Sequence, residues 1–163
     1  MIKDSGERRS FETGAKRDIV DGKGRCDLMP LDIIESLFYS TENYTNDNVL
    51  LNIAYFIKSE DISNLYNALK DFLAYTYGTN MACVVTAVLD LSKHFEEGAK
   101  KYGERNWEQG IPVHSFIDSA LRHYLKFLRG DEDENHKISF VWNIVCCLWT
   151  LKHKPEMNDL DWV

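Results

Sequence analysis

The chain has 163 residues, 44% of them hydrophobic and 12% aromatic, with a formal net charge of −7. That is enough apolar material for one folded domain with a sizeable core, and it excludes a disordered chain. The acidic balance excludes a surface devoted as a whole to nucleic acid, so no direct nucleic-acid binding is expected, although a local basic patch remains compatible with it.

From the N-terminus, MIKDSGERRS has no apolar core of a signal peptide, and no later run approaches the ~20 residues of a membrane span. No membrane attachment is expected, and a cytoplasmic location is. Residues 1–25 are polar and glycine-punctuated, and read as a basic loop or extended arm. LMPLDIIESLFYS opens with Pro30 near a helix start, and Leu31, Ile34, Glu35 and Phe38 suggest one or two amphipathic turns. TENYTNDN is a polar break. In SEDISNLYNALKDFLAYTYG, Ile62, Leu65, Tyr66, Leu69, Phe72 and Leu73 share one helical face, Ser59 is placed to cap and Gly78 to stop.

The next helix is predicted over Met81 to about Tyr102, ending at Gly103. RNWEQGIPVH, with Gly110 and Pro112, reads as a loop. SFIDSALRHYLKFLRG is a helix with Ile117, Leu121, Tyr124, Leu125 and Leu128 toward a core, closed by Gly130. The like charges of DEDEN break the chain before a very apolar last helix, HKISFVWNIVCCLWTLKH. The tail PEMNDLDWV is acidic and reads as loose, with Trp162 able to dock. No repeat and no sustained strand period occurs, so the expected class is all-α.

Cys26 and Cys83 are isolated, Cys146 and Cys147 lie together in the apolar last helix, and no CxxC exists. Buried reduced thiols are expected rather than a thiolate zinc site. Ser92, Ser115, Ser119 and Ser139 lack a nucleophile elbow, which disfavours covalent serine chemistry.

The acidic residues gather at predicted helix ends: Glu96 and Glu97, then Asp118, then Asp131, Glu132, Asp133 and Glu134, followed by His136. Antiparallel packing would bring these ends together, and crowded carboxylates repel unless a divalent cation neutralises them. Oxygen donors favour Mg²⁺ or Mn²⁺, commonly in phosphate chemistry. Each residue has a plainer reading beside this one. Glu96 and Glu97 could pair with Lys100 and Lys101 at i,i+4, Asp118 could complete a cap begun by Ser115, and the acidic run could complement a helix dipole.

A second set is basic. Lys16, Arg17, Lys23 and Arg25 fall in the arm, Lys100, Lys101 and Arg105 beside the first carboxylates, and Arg122 and His123 one turn after Asp118. Lysines, arginines and glycine-freed amides suit a polyphosphate, although no P-loop occurs. A flexible basic tail is the plainer reading of the arm.

In order along the chain, FETGAKRDIVDGKGRCDLMP, EEGAKKYGERNWEQGIP, FIDSALRHYLKFLRGDEDENH and VWNIVCC resemble the phage-encoded dATP/dGTP diphosphohydrolase N-terminal family, related in function to the all-α MazG-type nucleotide pyrophosphohydrolases. The resemblance covers about half of the chain, and 38–81 falls outside it as an inserted helical hairpin in one domain of 1–163. It implies a MazG-like helical bundle and a Mg²⁺-dependent (or Mn²⁺- or Co²⁺-dependent) cut of purine deoxynucleoside triphosphates to the monophosphate and pyrophosphate. Carried over by motif, Glu96, Glu97, Asp118, Asp133 and His136 would hold metal, with Glu97 or Glu134 as the base. Lys16, Arg17, Lys23, Arg25, Lys100, Lys101, Arg105, Asn106, Trp107, Arg122 and Asn143 would bind substrate, Trp107 by stacking on the purine. Lys93 and Lys100 stand where the MazG ExxE pattern would be completed around Glu96 or Glu97. Related enzymes build sites between subunits, and the apolar last helix offers surface for that, so a homo-oligomer is expected, in the host cytoplasm for a phage protein. The rival reading is a module that binds a nucleotide to sequester or sense it without hydrolysis. The carboxylates weigh against that, because a pure phosphate binder gains nothing from them.

Overall fold

A computed structural model describes residues 28–30, 33 and 48–160, and the backbone of 8–10 and 16–18. In the arm, β1 (Arg8–Ser10) and β2 (Lys16–Asp18) form an antiparallel ladder with Arg9 opposite Arg17. Among the described residues the other regular elements are helical: α1 (Asn48–Ser59), α2 (Ile62–Thr76), α3 (Met81–Tyr102), α4 (Val113–Arg129) and α5 (His136–His153), with short 3-10 turns at Asn106–Gln109 and Pro155–Met157. The all-α class is what the sequence pattern predicts. The turns expected around Leu31–Phe38, the docking of Trp162, and Lys23 and Arg25 lie outside the described residues.

Local chemistry sets the helix ends. Ser59 does not cap α2; its hydroxyl donates to the Tyr55 carbonyl at 2.7 Å and finishes α1. Glu60 then turns the chain at φ 56°, and Asp61 caps α2 by accepting from the Ser63 amide at 3.0 Å. Asn80 caps α3 through the Cys83 amide at 3.0 Å, and Asn135 caps α5 through the Ile138 amide at 3.2 Å. Gly130 closes α4 in the left-handed region at φ 82°, a conformation cheap only without a Cβ. RNWEQGIPVH winds one 3-10 turn at Asn106–Gln109, and its last two residues, Val113 and His114, already belong to α4, which starts after Pro112.

The segment NVLLNIAYFIKS, which the chain-order reading passes over, is α1; it buries Val49, Ile53 and Phe56 and packs against α2. α5 is the hub of the fold, contacting α2, α3 and α4. It buries residues all round its circumference, from Phe140 and Val141 to Ile144, Val145, Cys146, Cys147 and Leu148. Most of its apolar residues are therefore covered within the chain, with Trp142, Trp149 and Leu151 half-buried. Phe72 of α2 anchors this contact, with ring centroids 4.3 Å from Phe140, 5.3 Å from Phe127 and 5.8 Å from Tyr124. Cys146 and Cys147 are free and buried, and burial pushes both thiols far above their ordinary pKa. No single described helix is long and apolar enough to cross a membrane.

The short 131–135 connection folds the start of α5 back beside α4, while the second half of α3 lies along α5. That junction of three helices carries the polar side chains considered next.

Candidate active site

On α3, Asp90, Lys93, His94 and Glu97 recur at the three- and four-residue spacing that places side chains on one helical face. They line a cavity of about 310 Å³ together with Glu134 and Asn135 from the 131–135 connection and Ile138 and Ser139 from the start of α5. Thus Glu97 and Glu134, both candidates for the base, face one space. Asp90 is held at its edge, accepting from the Tyr77 hydroxyl at 3.1 Å and lying 3.7 Å from Lys93. Burial, seconded by Asp90, raises the Tyr77 phenol well above its ordinary pKa.

His94 forms part of a second cavity of about 360 Å³, which is mainly apolar. Phe95, Ala99, Tyr102, Asn106, Trp107 and Trp142 contribute to its wall. Burial pulls the His94 imidazole below its ordinary pKa against the opposing pull of Glu97 and Glu134. Trp107 is 5% exposed and packs edge-to-face with Phe95 and Trp149. Its buried Nε1–H has no hydrogen-bond acceptor among the described residues.

Beside the first cavity, His136 is buried at the first position of α5, and its Nε2 lies 2.7 Å from Asp133 Oδ1. Its Nδ1 lies 3.0 Å from His123 Nδ1 and 3.3 Å from Glu134 Oε1. His123, on α4, is in turn 2.9 Å from Glu134 Oε1. The His136 ring, then Lys126 at 3.0 Å, hold the Asp133 carboxyl at a pKa of about 2. Burial outweighs Glu134 at His123 and lowers that imidazole.

The other sequence-derived candidates fall elsewhere. Glu96, one residue from Glu97 and so about 100° round the helix, is 6% exposed and pairs with Lys100 at 3.2 Å. Asp118 is exposed and accepts from Arg122 at 2.7 Å, at a shallow depression with Leu121, Leu125, Lys126 and Arg129. Five residues separate it from His123, a rotation of about 140°, which turns the two to different faces of α4. Neither Ser115 nor Asp118 caps α4. Lys101 lies over the Tyr102 ring at 4.9 Å, and its pKa is raised by Tyr102 first and by Glu134 last. Arg105 pairs with Glu108, and Asn106 stands in the wall of the apolar cavity. Asn143 is buried, its amide donating to the Ser139 carbonyl at 2.8 Å. Lys16 and Arg17 lie on β2, whose side chains are outside the description.

Asp90, Lys93 and His94 are absent from the sequence-derived set of site residues, and His123 was read there only as a basic residue and not as a ligand. Asp90, Lys93 and His94 carried a readable signal, the D-x-x-K-H-x-x-E face of α3. His123 carried none as a ligand, because its neighbours come from a turn 10 or more residues away.

Asp90, Glu97 and Glu134 line one cavity, and among the described residues the side chains whose donor atoms lie close enough to share an ion are His123, Glu134 and His136, and Asp131, Asp133 and His136. The family model described as dATP/dGTP diphosphohydrolase, N-terminal, matches residues 78–160, just over half of the chain, beginning immediately after the α1–α2 pair. No curated protein and no solved structure gives a match. The matched stretch contains every residue that lines the oxygen-rich cavity, and the chain belongs to the dATP/dGTP diphosphohydrolase N-terminal family.

Proposed function

We propose that this chain hydrolyses dATP and dGTP to the deoxynucleoside monophosphate and pyrophosphate with a divalent cation, Mg²⁺ or a close substitute. The observation that carries this reading is the pair of cavities meeting at His94, one lined by Asp90, Glu97 and Glu134 and the other by aromatic side chains. A purine nucleotide has the same two-part character, a charged triphosphate joined to a flat apolar base.

Asp90, Glu97 and Glu134 would hold the cation, which when bound would polarise the phosphoryl oxygens and stabilise the leaving pyrophosphate. Lys93 and Lys101 would offset the remaining phosphate charge. A water oxygen bonds to the α-phosphorus, the α–β bridging P–O bond breaks, and the proton passes to Glu97 or Glu134. The base would enter the aromatic cavity, with Asn106 beside it. A ring nitrogen or carbonyl of the purine would supply the acceptor that the buried Trp107 Nε1–H lacks. Trp107 acts here by its edge rather than as a stacking face, because Phe95 and Trp149 pack on it.

The test is product analysis. Each (d)NTP is incubated with the protein and Mg²⁺, Mn²⁺ or Co²⁺, with and without EDTA, and the products are separated by chromatography. EDTA-sensitive release of dAMP or dGMP with pyrophosphate is expected. Tight binding of intact nucleotide with no product in any metal would instead establish the sequestering module.

A further inference from the structure

Two imidazole nitrogens and one carboxylate oxygen, from His123, His136 and Glu134, converge within one small space. His123 Nδ1, Glu134 Oε1 and His136 Nδ1 form a triangle with edges of 2.9, 3.3 and 3.0 Å. The carboxylate of Asp133 only accepts, so His136 Nε2, 2.7 Å from it, carries the ring hydrogen. His136 Nδ1 points into the triangle toward His123 Nδ1 and Glu134 Oε1, so donor atoms from three side chains converge on one point. A cation at the centre would be held by all three.

The dimensions agree. Donors about 2.1 Å from one ion stand ~3.0 Å apart at right angles and ~3.4 Å apart in a tetrahedron, the range spanned by the three edges. A carboxylate on the far nitrogen of a buried histidine is also the support that metal-binding imidazoles commonly use, and Asp133 is itself held by Lys126 at 3.0 Å. Asp131, another carboxylate of the same turn, lies close to Asp133 and His136 as well.

We propose that His123, Glu134 and His136 form a seat for a borderline d-block cation, Mn²⁺, Co²⁺ or Zn²⁺, distinct from the oxygen-lined position at Asp90 and Glu97. Two imidazole nitrogens favour such ions over Mg²⁺, which prefers oxygen and gives up water reluctantly. Glu134 belongs to both places, so the seat would fix its carboxylate at the wall of the phosphate cavity. That coupling rests on the hydrolase reading above, whereas the seat rests on the triangle alone.

The experiment titrates the full chain, stripped with chelator, with Co²⁺ in a large excess of Mg²⁺ and follows visible absorption. Expected are saturable ligand-field bands of nitrogen-ligated Co²⁺ that Mg²⁺ does not displace. The bands should vanish in His123→Ala, with circular dichroism showing the helices retained. In Asp133→Asn, at a 60% exposed side chain where folding is not at risk, Co²⁺ affinity should fall about 10–100-fold. No such bands in the wild type, bands that survive His123→Ala, or unchanged affinity in Asp133→Asn would each overturn the proposal. Bands without nucleotide hydrolysis would refute the enzyme reading and leave the seat standing. Hydrolysis in Mg²⁺ without bands would do the reverse.

Discussion

Replacing Glu134 with Gln separates chemistry from stability at this junction. The substitution keeps the size of the side chain, removes its charge and replaces one acceptor oxygen by a donor. The Glu134 side chain is 49% exposed, and its contacts, His123 at 2.9 Å and His136 at 3.3 Å, lie at the edge of the body. An exposed ion pair contributes at most about 1 kcal/mol, and burial keeps His123 below its ordinary pKa, so the pair acts near neutral pH mainly as a hydrogen bond. The loss in unfolding free energy should therefore stay near or under 1 kcal/mol. The catalytic loss should be much larger. Removing a general base or a charge-stabilising ligand lowers turnover by roughly 10²–10⁴, equivalent to about 2.7–5.4 kcal/mol in the barrier. The assay measures pyrophosphate release under saturating dATP and dGTP, alongside urea denaturation of the same preparations. Turnover within threefold of wild type would refute the role of Glu134. A stability loss above about 2 kcal/mol would show that the carboxylate is part of the scaffold instead.

Phe72→Ala should act in the opposite sense. It empties a fully buried site between α2, α4 and α5 and should cost about 3–5 kcal/mol in urea unfolding, and a cost under 1 kcal/mol would contradict the packing described. The pH dependence of stability tests His94. Its folded pKa lies below the unfolded value, so the unfolded chain binds the extra proton as pH falls below about 6.5. Stability should be fully present above that pH and decline as pH drops toward the folded pKa. His123 shifts in the same direction, so His94→Gln should flatten the decline rather than abolish it, as read from urea midpoints between neutral and mildly acid pH. An unchanged slope would show that His94 does not titrate as its burial implies.

These experiments address two layers of the protein that differ in how far they can be read without coordinates. The bounds of α3 and the stop of α4 at Gly130 follow from residues adjacent in sequence: an asparagine cap, an apolar period and a glycine in the left-handed region. The cap of α2 was misplaced by two residues because Ser59 and Asp61 are both able to serve, and only the φ of Glu60 decides which helix each belongs to. α1 falls within the hairpin expected over 38–81, but its own period is hard to read because its apolar residues crowd two faces, with Leu50, Leu51 and Tyr55 exposed beside the buried Val49 and Ile53.

Local sequence alone determined that the chain is helical, roughly where most of its helices start and stop, and that carboxylates, histidine and lysines collect near helix ends. Those features depend on hydrogen bonds and steric limits within a few residues. Tertiary structure decided which of the charged groups meet. A step of one residue turns a side chain about 100° round a helix, so Glu97 faces the cavity while Glu96 is buried and pairs with the exposed Lys100, and His123 reaches Glu134 while Asp118 turns to Arg122. That rotational phase is set by the burial of α5 against α2, α3 and α4, a balance of apolar contacts between segments far apart in the chain.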